Sequence, residues 1–246
     1  MGELEGKVAL VTGGSRGMGA AIAKRLAREG ADVAVTYLKE GDKAQSVVEE
    51  IESAGRRGLA IEADSADAVA VVQAVDRAAA ELGRLDVLVN NAGIFAYGPP
   101  DEVTIEDLDQ TMAIHARAPF LASQAALRHM NGGGRIISIG SSLATRVPYP
   151  GVSLYAMSKS ALIGMTKGLA RDLGERGITV NVVDPGSTDT DMNPADGPTA
   201  DDERTLTALG RYGSVDDVAA TVAHLAGSGG RNITGTSIAV DGGVST

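Results

Sequence analysis

Residues 8–19, Val8-Ala9-Leu10-Val11-Thr12-Gly13-Gly14-Ser15-Arg16-Gly17-Met18-Gly19, constrain the fold more than any other stretch of the chain. Four apolar residues run into a turn that holds four glycines. The turn opens into Ala20-Ala21-Ile22-Ala23-Lys24-Arg25-Leu26-Ala27, which is helical in composition and spacing. A buried strand feeding a glycine turn and then a helix makes an anion site. The free N–H groups of the first helical turn face the ligand, and the glycines let the backbone approach it. In a nucleotide fold that ligand is a pyrophosphate. The common spacing G-x-G-x-x-G is absent, because Ile22 stands where its last glycine would fall; the pattern is Thr-Gly-x-x-x-Gly-x-Gly. On the turn alone, a strand–turn–helix corner without a ligand stays open as an alternative.

Short Val- and Ile-rich runs recur at 7–12, 31–37, 58–63, 85–90, 134–139, 178–183 and 236–240. Ala-rich amphipathic stretches separate them at 18–29, 42–54, 66–82, 104–130, 153–175 and 215–227. Strands alternating with helices imply βαβ units and a mostly parallel sheet covered on both faces. The expectation is an α/β, Rossmann-type doubly wound sheet of about seven strands, in one domain over residues 1–246.

Composition narrows the function classes. The net charge of −10 argues against nucleic acid as a main partner. Without cysteine there is no disulfide, thiolate catalysis or cysteine metal site, and no metal cluster is visible in the His spacing. The N-terminal residues carry no signal-peptide pattern, and no stretch approaches the ~20 apolar residues of a membrane span. A cytoplasmic enzyme or binding protein is the default expectation.

The second strand bears on the cofactor. An NAD site usually has an acidic residue about 20 positions past the glycines, accepting from the ribose hydroxyls. Here the strand ends Thr36-Tyr37-Leu38-Lys39, without a carboxylate. Arg16 in the glycine turn and Lys39 beyond the strand are placed to meet a 2′-phosphate, so NADP(H) is favoured over NAD(H). Asp64, after strand three, could accept from an adenine amino group; alternatively it or Ser65 caps the helix beginning near 66.

Strand five ends in Gly140-Ser141-Ser142, and thirteen residues beyond Ser142 comes Tyr155, in Tyr155-Ala156-Met157-Ser158-Lys159. Tyr and Lys at i and i+4 share one helix face. This helix and the one after the glycine turn both begin at the carboxyl edge of the sheet, where such folds bind ligands. Tyrosine normally loses its proton near pH 10. A lysine ammonium and a positive nicotinamide ring would bring that pKa towards neutrality, so that Tyr155 could give a proton to a carbonyl or take one from an alcohol.

These motifs together resemble the short-chain dehydrogenase/reductase family, close to its β-ketoacyl (3-oxoacyl) carrier-protein reductase-like branch. The likeness covers essentially the whole chain: Thr12-Gly13 to Gly17 and Gly19, Asp64, Asn90-Asn91-Ala92-Gly93, Ser142, Tyr155, Lys159, Pro185-Gly186 with Thr190, and Val240-Asp241-Gly242-Gly243. The resemblance implies a carbonyl reductase with Tyr155 as acid/base, Ser142 orienting the carbonyl, and Lys159 holding the nicotinamide ribose. It also implies cofactor contacts from Gly13, Ser15, Arg16, Gly17, Met18, Gly19, Tyr37, Lys39, Asp64, Ser65, Asn91, Ala92, Gly93, Pro185, Gly186, Thr188 and Thr190. A homotetramer built partly on stretches 104–130 and 153–175 is implied in the same way.

Two positions depart from the family pattern. His115 stands where many members have asparagine, and is expected either to add pH dependence near neutrality or only to pack beside a helix distortion at Pro119. Asp184 precedes Pro185 either as a turn former or as a carboxylate that favours an oxidised, positive ring.

The segment 187–213 shows polar and turn residues in place of a helical pattern, and reads as a lid over a small ketone or alcohol. Ile94, Phe95, Tyr97, Leu143, Tyr149 and Leu154 are further candidate pocket walls. Two alternatives remain: an NAD-dependent alcohol dehydrogenase working oxidatively, and a dinucleotide-binding sensor without chemistry.

Overall fold

A computed structural model describes residues 2–246. Seven parallel strands form one sheet in the order β3-β2-β1-β4-β5-β6-β7. They are β1 Val8–Val11, β2 Asp32–Tyr37, β3 Gly58–Glu62, β4 Val87–Asn90, β5 Arg135–Ile139, β6 Thr179–Pro185 and β7 Ser237–Val240. The helices are α1 Gly17–Arg28, α2 Gly41–Ser53, α3 Ala68–Leu82, α4 Ile105–Met112, α5 Ala118–Ala126, α6 Ser153–Leu173, α7 Ala200–Leu206 and α8 Val215–Ala226.

The central strands β1 and β4 are buried along their whole length because both faces are covered. Along β1, Val8 and Leu10 join one core with α3, α5 and α6, while Ala9 and Val11 join the other with α1, α2 and α8. That alternation is the two-residue period of a strand, filled on each side by helices. The order of strands reverses between β1 and β4, so the loops after these two strands diverge and leave a crevice at the carboxyl edge.

Three expectations need correction. The stretch 104–130 is not one helix. α4 begins at a reciprocal cap between Thr104 and Asp107, a wider π-helical turn follows over Ala113–Arg117, and α5 resumes the α geometry. An α-helix would give the His115 carbonyl its hydrogen bond from residue 119, which is Pro119 and has no N–H. The helix expected from 66 begins at Ala68, and neither Asp64 nor Ser65 caps it. Asp67 does, accepting from the Val69 and Ala70 N–H groups, while Asp64 Oδ1 closes a local turn on Ala66 N at 2.7 Å. Within 187–213 a helix does form, α7, with Asp201, Asp202 and Glu203 in its first turn. Acidic residues there suit the positive end of the helix, a signal that apolar periodicity does not report. Among the described residues no helix is long and apolar enough to cross a membrane.

Candidate active site

The glycine turn is fixed by its neighbours. Thr36 Oγ1 accepts from Gly13 N at 3.0 Å, and Asn91 Nδ2 donates to Thr12 O and Gly13 O at 2.9 and 3.0 Å. A side chain on Gly19 would land on the Gly13 carbonyl. Gly17 adopts φ +53°, a conformation open to glycine at little cost. Arg16 occupies the N-cap of α1 without a side-chain cap, and the first turn carries no acidic residue. The first N–H groups of α1 therefore face the crevice uncapped, as an anion requires.

That crevice has a volume of about 500 Å³. Its walls include Gly13, Ser15, Arg16, Gly17, Met18, Gly19, Tyr37, Lys39, Asp64, Ser65, Asn91, Ala92, Gly93, Thr190, Tyr155 and Lys159, as expected from the sequence. Pro185, Gly186 and Thr188 do not belong to these walls. Gly186 packs on the Asp241 backbone, and Thr188 Oγ1 turns back to Gly186 O at 3.0 Å. Asp191 and Met192, from the 187–213 segment read as a lid, also line it, and so does Glu40, which the sequence reading did not single out. Glu40 lies 3.2 Å from Arg16 and 2.8 Å from Lys43; Asp191 lies 3.6 Å from Arg16 and 3.7 Å from Lys43. The cation-rich corner thus includes Lys43, one turn into α2, as well as Arg16 and Lys39. Glu40 and Lys43 sit close together in the sequence, but Glu40 meets Arg16, and Lys43 shares its carboxylate partners, only once β2 and α2 are folded.

At the other end of the crevice α6 presents Tyr155 and Lys159. Lys159 is buried and donates from Nζ to Ile139 O at 2.9 Å. Burial pushes its pKa down to about 8, against the Asp184 carboxylate, which pulls it up. A lowered Tyr155 pKa is expected from a lysine and a bound nicotinamide ring acting together; in the protein alone the shift runs upward. Burial pushes the phenol up to about 12, outweighing the Ser141 hydroxyl, which lowers it. Lys159 Nζ stands 5.8 Å from the ring centroid and donates to Ile139 O. The chain alone therefore holds Tyr155 as a neutral proton donor.

The serine whose hydroxyl lowers the Tyr155 pKa is Ser141, the neighbour of the Ser142 that the family resemblance implies as the carbonyl-orienting residue. Ser141 Oγ accepts from Leu143 N at 3.2 Å, which leaves its own proton for the phenol oxygen. Ser142 lies one residue on, buried at the start of a 3₁₀ turn. Asp184 Oδ1 accepts from Ser141 N at 2.9 Å and fixes the Ser141 backbone.

Asp184 lies inside β6, opposite Ala239 of β7, so it is not a turn former. Its other oxygen accepts from Ser237 Oγ. Burial holds its pKa above the ordinary carboxylate value, while Ser237, Ser141 and Lys159 oppose that rise. A side chain at Gly140 would collide with Asp184 Oδ1.

His115 lies beneath the site, 1% exposed. Its Nε2 accepts from Ile94 N at 3.0 Å, so the ring proton resides on Nδ1, which donates to Ser158 Oγ at 2.8 Å. Ser158 in turn donates to the Tyr155 carbonyl at 2.7 Å. Burial, with the Lys159 charge, pushes the imidazole pKa down to about 3. His115 therefore does not titrate near neutrality. It is a neutral brace between the loop after β4, the π turn and the first turn of α6.

A family model described as Enoyl-(Acyl carrier protein) reductase matches residues 13–245. A short-chain dehydrogenase from Burkholderia cenocepacia, solved in complex with NADP, is 63% identical over 99% of this chain and 100% of its own, with a TM-score of 0.98. The chain belongs to the short-chain dehydrogenase/reductase family of oxidoreductases. Another member, a blue fluorescent protein from a metagenomic library, was solved with NADPH; it is 58% identical over 99% of this chain and 100% of its own, with a TM-score of 0.97. The cyclic-di-GMP-binding biofilm dispersal mediator protein of Escherichia coli is 46% identical over 98% of both chains. The family assignment makes the crevice a dinucleotide site, and the uncapped α1 turn and the Gly17–Gly19 cradle fit a pyrophosphate.

Proposed function

We propose that this short-chain dehydrogenase/reductase is an NADP(H)-dependent ketoreductase, reducing a ketone to a secondary alcohol. The observation that carries the reading is Tyr155, a phenol kept protonated by burial at the end of the dinucleotide crevice, beside Ser141 and Lys159. Such a group is poised to give a proton to a carbonyl oxygen. NADPH bound in the crevice would supply the hydride. The C=O π bond breaks as a C–H bond forms at carbon, and oxygen takes the Tyr155 proton. Ser141 holds the same oxygen, with its backbone anchored by Asp184. The Lys159 ammonium lowers the cost of the phenolate left behind. His115 sets the first turn of α6, from which Tyr155 projects, through Ser158.

Preference for the phosphorylated cofactor is supported by the Arg16, Lys39 and Lys43 corner and by the NADP and NADPH complexes of similar proteins. A 2′-phosphate would take over the Arg16 guanidinium from Glu40 and Asp191. Titration with NADPH and with NADH, followed by nicotinamide fluorescence, tests this. Tighter NADPH binding that is lost in Arg16→Ala supports it. Equal binding of the two moves the reading to an NAD-dependent alcohol dehydrogenase. A sensor is the second reading, favoured by the 46% identity to a cyclic-di-GMP-binding protein. Cyclic-di-GMP that competes with NADPH, in a protein that consumes no NADPH with any ketone, would establish that reading instead.

A further inference from the structure

The chain has two phenylalanines, five tyrosines and no tryptophan. None of them is among its largest fully buried side chains, which are Leu, Ile and His115. Tyr212 is the one Phe or Tyr ring among the buried core residues described, and four of the seven rings, Phe95, Tyr97, Tyr149 and Tyr155, gather at the reacting end of the crevice. Phe95 meets the Tyr155 ring edge-on at 5.0 Å, and Tyr97 lies beyond it at 6.2 Å with the two planes within 19°. Tyr97 helps to raise the pKa of the Tyr149 phenol, and Tyr149 in turn helps to raise that of Tyr155. The crevice wall described above stops at Ile94, so these rings continue past Tyr155 on the side away from the dinucleotide.

Phe95 is 45% exposed and Tyr97 69%, a large apolar area to leave in water on a chain this poor in rings. The rings are nevertheless held in place. Tyr97 rests on Gly151, where a Cβ would come within 2.8 Å of the ring, and Gly98 N donates to Gly151 O at 2.8 Å. A ligand that covers them would find a surface already ordered. The charge beside this surface is negative. Glu203 of α7 raises the Tyr149 pKa, and hydrogen bonds from Ser187, Asn193, Thr199 and Tyr212 keep Glu203 ionised in spite of its burial. A carboxylate there disfavours an anionic substrate.

We propose that the ketone is an uncharged aryl ketone, whose ring lies against Phe95 and Tyr97 while its carbonyl reaches Tyr155. This rests on the ketoreductase reading and names the substrate class of that site. Aromatic rings recognise flat rings by stacked and edge-on contacts that a puckered saturated ring of the same size cannot match.

The test uses a matched pair of bicyclic ketones, 1-tetralone and trans-1-decalone, which share a skeleton and differ in one aromatic ring. kcat/KM is measured with NADPH for the wild type, Phe95→Leu, Tyr97→Leu and the double variant. Any difference in intrinsic reactivity between the ketones cancels when ratios are compared across variants. The expected result is that the tetralone-to-decalone ratio falls about five- to tenfold in the double variant, through KM. A ratio unchanged by both substitutions overturns the aromatic shelf and leaves the ketoreductase reading intact. If no ketone is turned over, the ketoreductase reading falls. Calorimetric binding of 1-tetralone to the NADPH-loaded protein then decides the shelf: weaker binding in the double variant supports it, and absent or unaltered binding overturns it.

Discussion

Asp184 Oδ1 accepts a hydrogen bond from the Ser141 backbone N–H at 2.9 Å, tying the loop after β5 to the interior of β6. The carboxylate is 3% exposed, and its second oxygen is taken by Ser237 of β7. One buried side chain thus spans three strands and fixes the backbone from which Ser141 faces Tyr155. Asp184→Asn keeps an acceptor for Ser141 and removes the charge. Asp184→Ala leaves a buried N–H without a partner, which costs about 1–3 kcal/mol. Thermal unfolding and ketone turnover are expected to show the alanine variant less stable and slower, with asparagine recovering most of both. Equal damage from the two would mean that the charge, not the anchor, is what matters.

The same carboxylate sets a pH dependence. Lys159 is charged below its pKa of about 8 and neutral above it. Its ammonium favours the phenolate that Tyr155 leaves behind, so kcat/KM for ketone reduction is expected to fall as pH rises through about 8. Asp184 raises the Lys159 pKa, and Asp184→Asn should therefore move the falling limb to lower pH. A limb that stays in place would separate it from Lys159.

His115 makes its prediction in stability. Its ordinary pKa is 6.5 and its folded value about 3, so between these limits the unfolded chain binds a proton that the folded chain does not. Folding must then weaken as pH falls through that window, by up to ~1.4 kcal/mol per pH unit from this residue. Urea unfolding from pH 6.5 to 4 is expected to show the wild type losing stability faster than His115→Asn. Parallel curves would contradict a buried neutral imidazole. The pH–rate profile above pH 6 should keep its shape in the variant.

Ser141 and Ser142 are separable by alanine substitution. Loss of a hydroxyl that holds the reacting oxygen costs on the order of a hundredfold in kcat. Ser141→Ala is expected to show that loss with NADPH binding retained, and Ser142→Ala is not. The reverse pattern would return the role to Ser142.

The seven-stranded parallel sheet and the crevice were legible because they rest on local signals. Apolar runs such as 8–11 and 87–90, and the Gly13–Gly19 turn, carry their structure in a few adjacent residues. Tyr155 and Lys159 were legible from a helical i, i+4 spacing. What was not legible depends on which groups meet across the sheet. The anchoring of the Ser141 backbone follows from Asp184, 43 residues away, and the lowered pKa of His115 follows from its burial and from the Lys159 charge. The upward shift of Tyr155 is a matter of burial, which a neighbouring lysine in the sequence does not reveal. α7 escaped notice because seven residues with an acidic first turn carry no apolar stripe.

The measurement that bears most directly on a Tyr155 proton donor is paired for one variant: NADPH affinity by fluorescence and NADPH consumption with a ketone, in the wild type and Tyr155→Phe. Phenylalanine keeps the ring against Phe95 and His115 and removes only the hydroxyl. The expected result is equal NADPH affinity in the two proteins and ketone-dependent NADPH consumption in the wild type alone. Undiminished consumption by Tyr155→Phe would contradict the account.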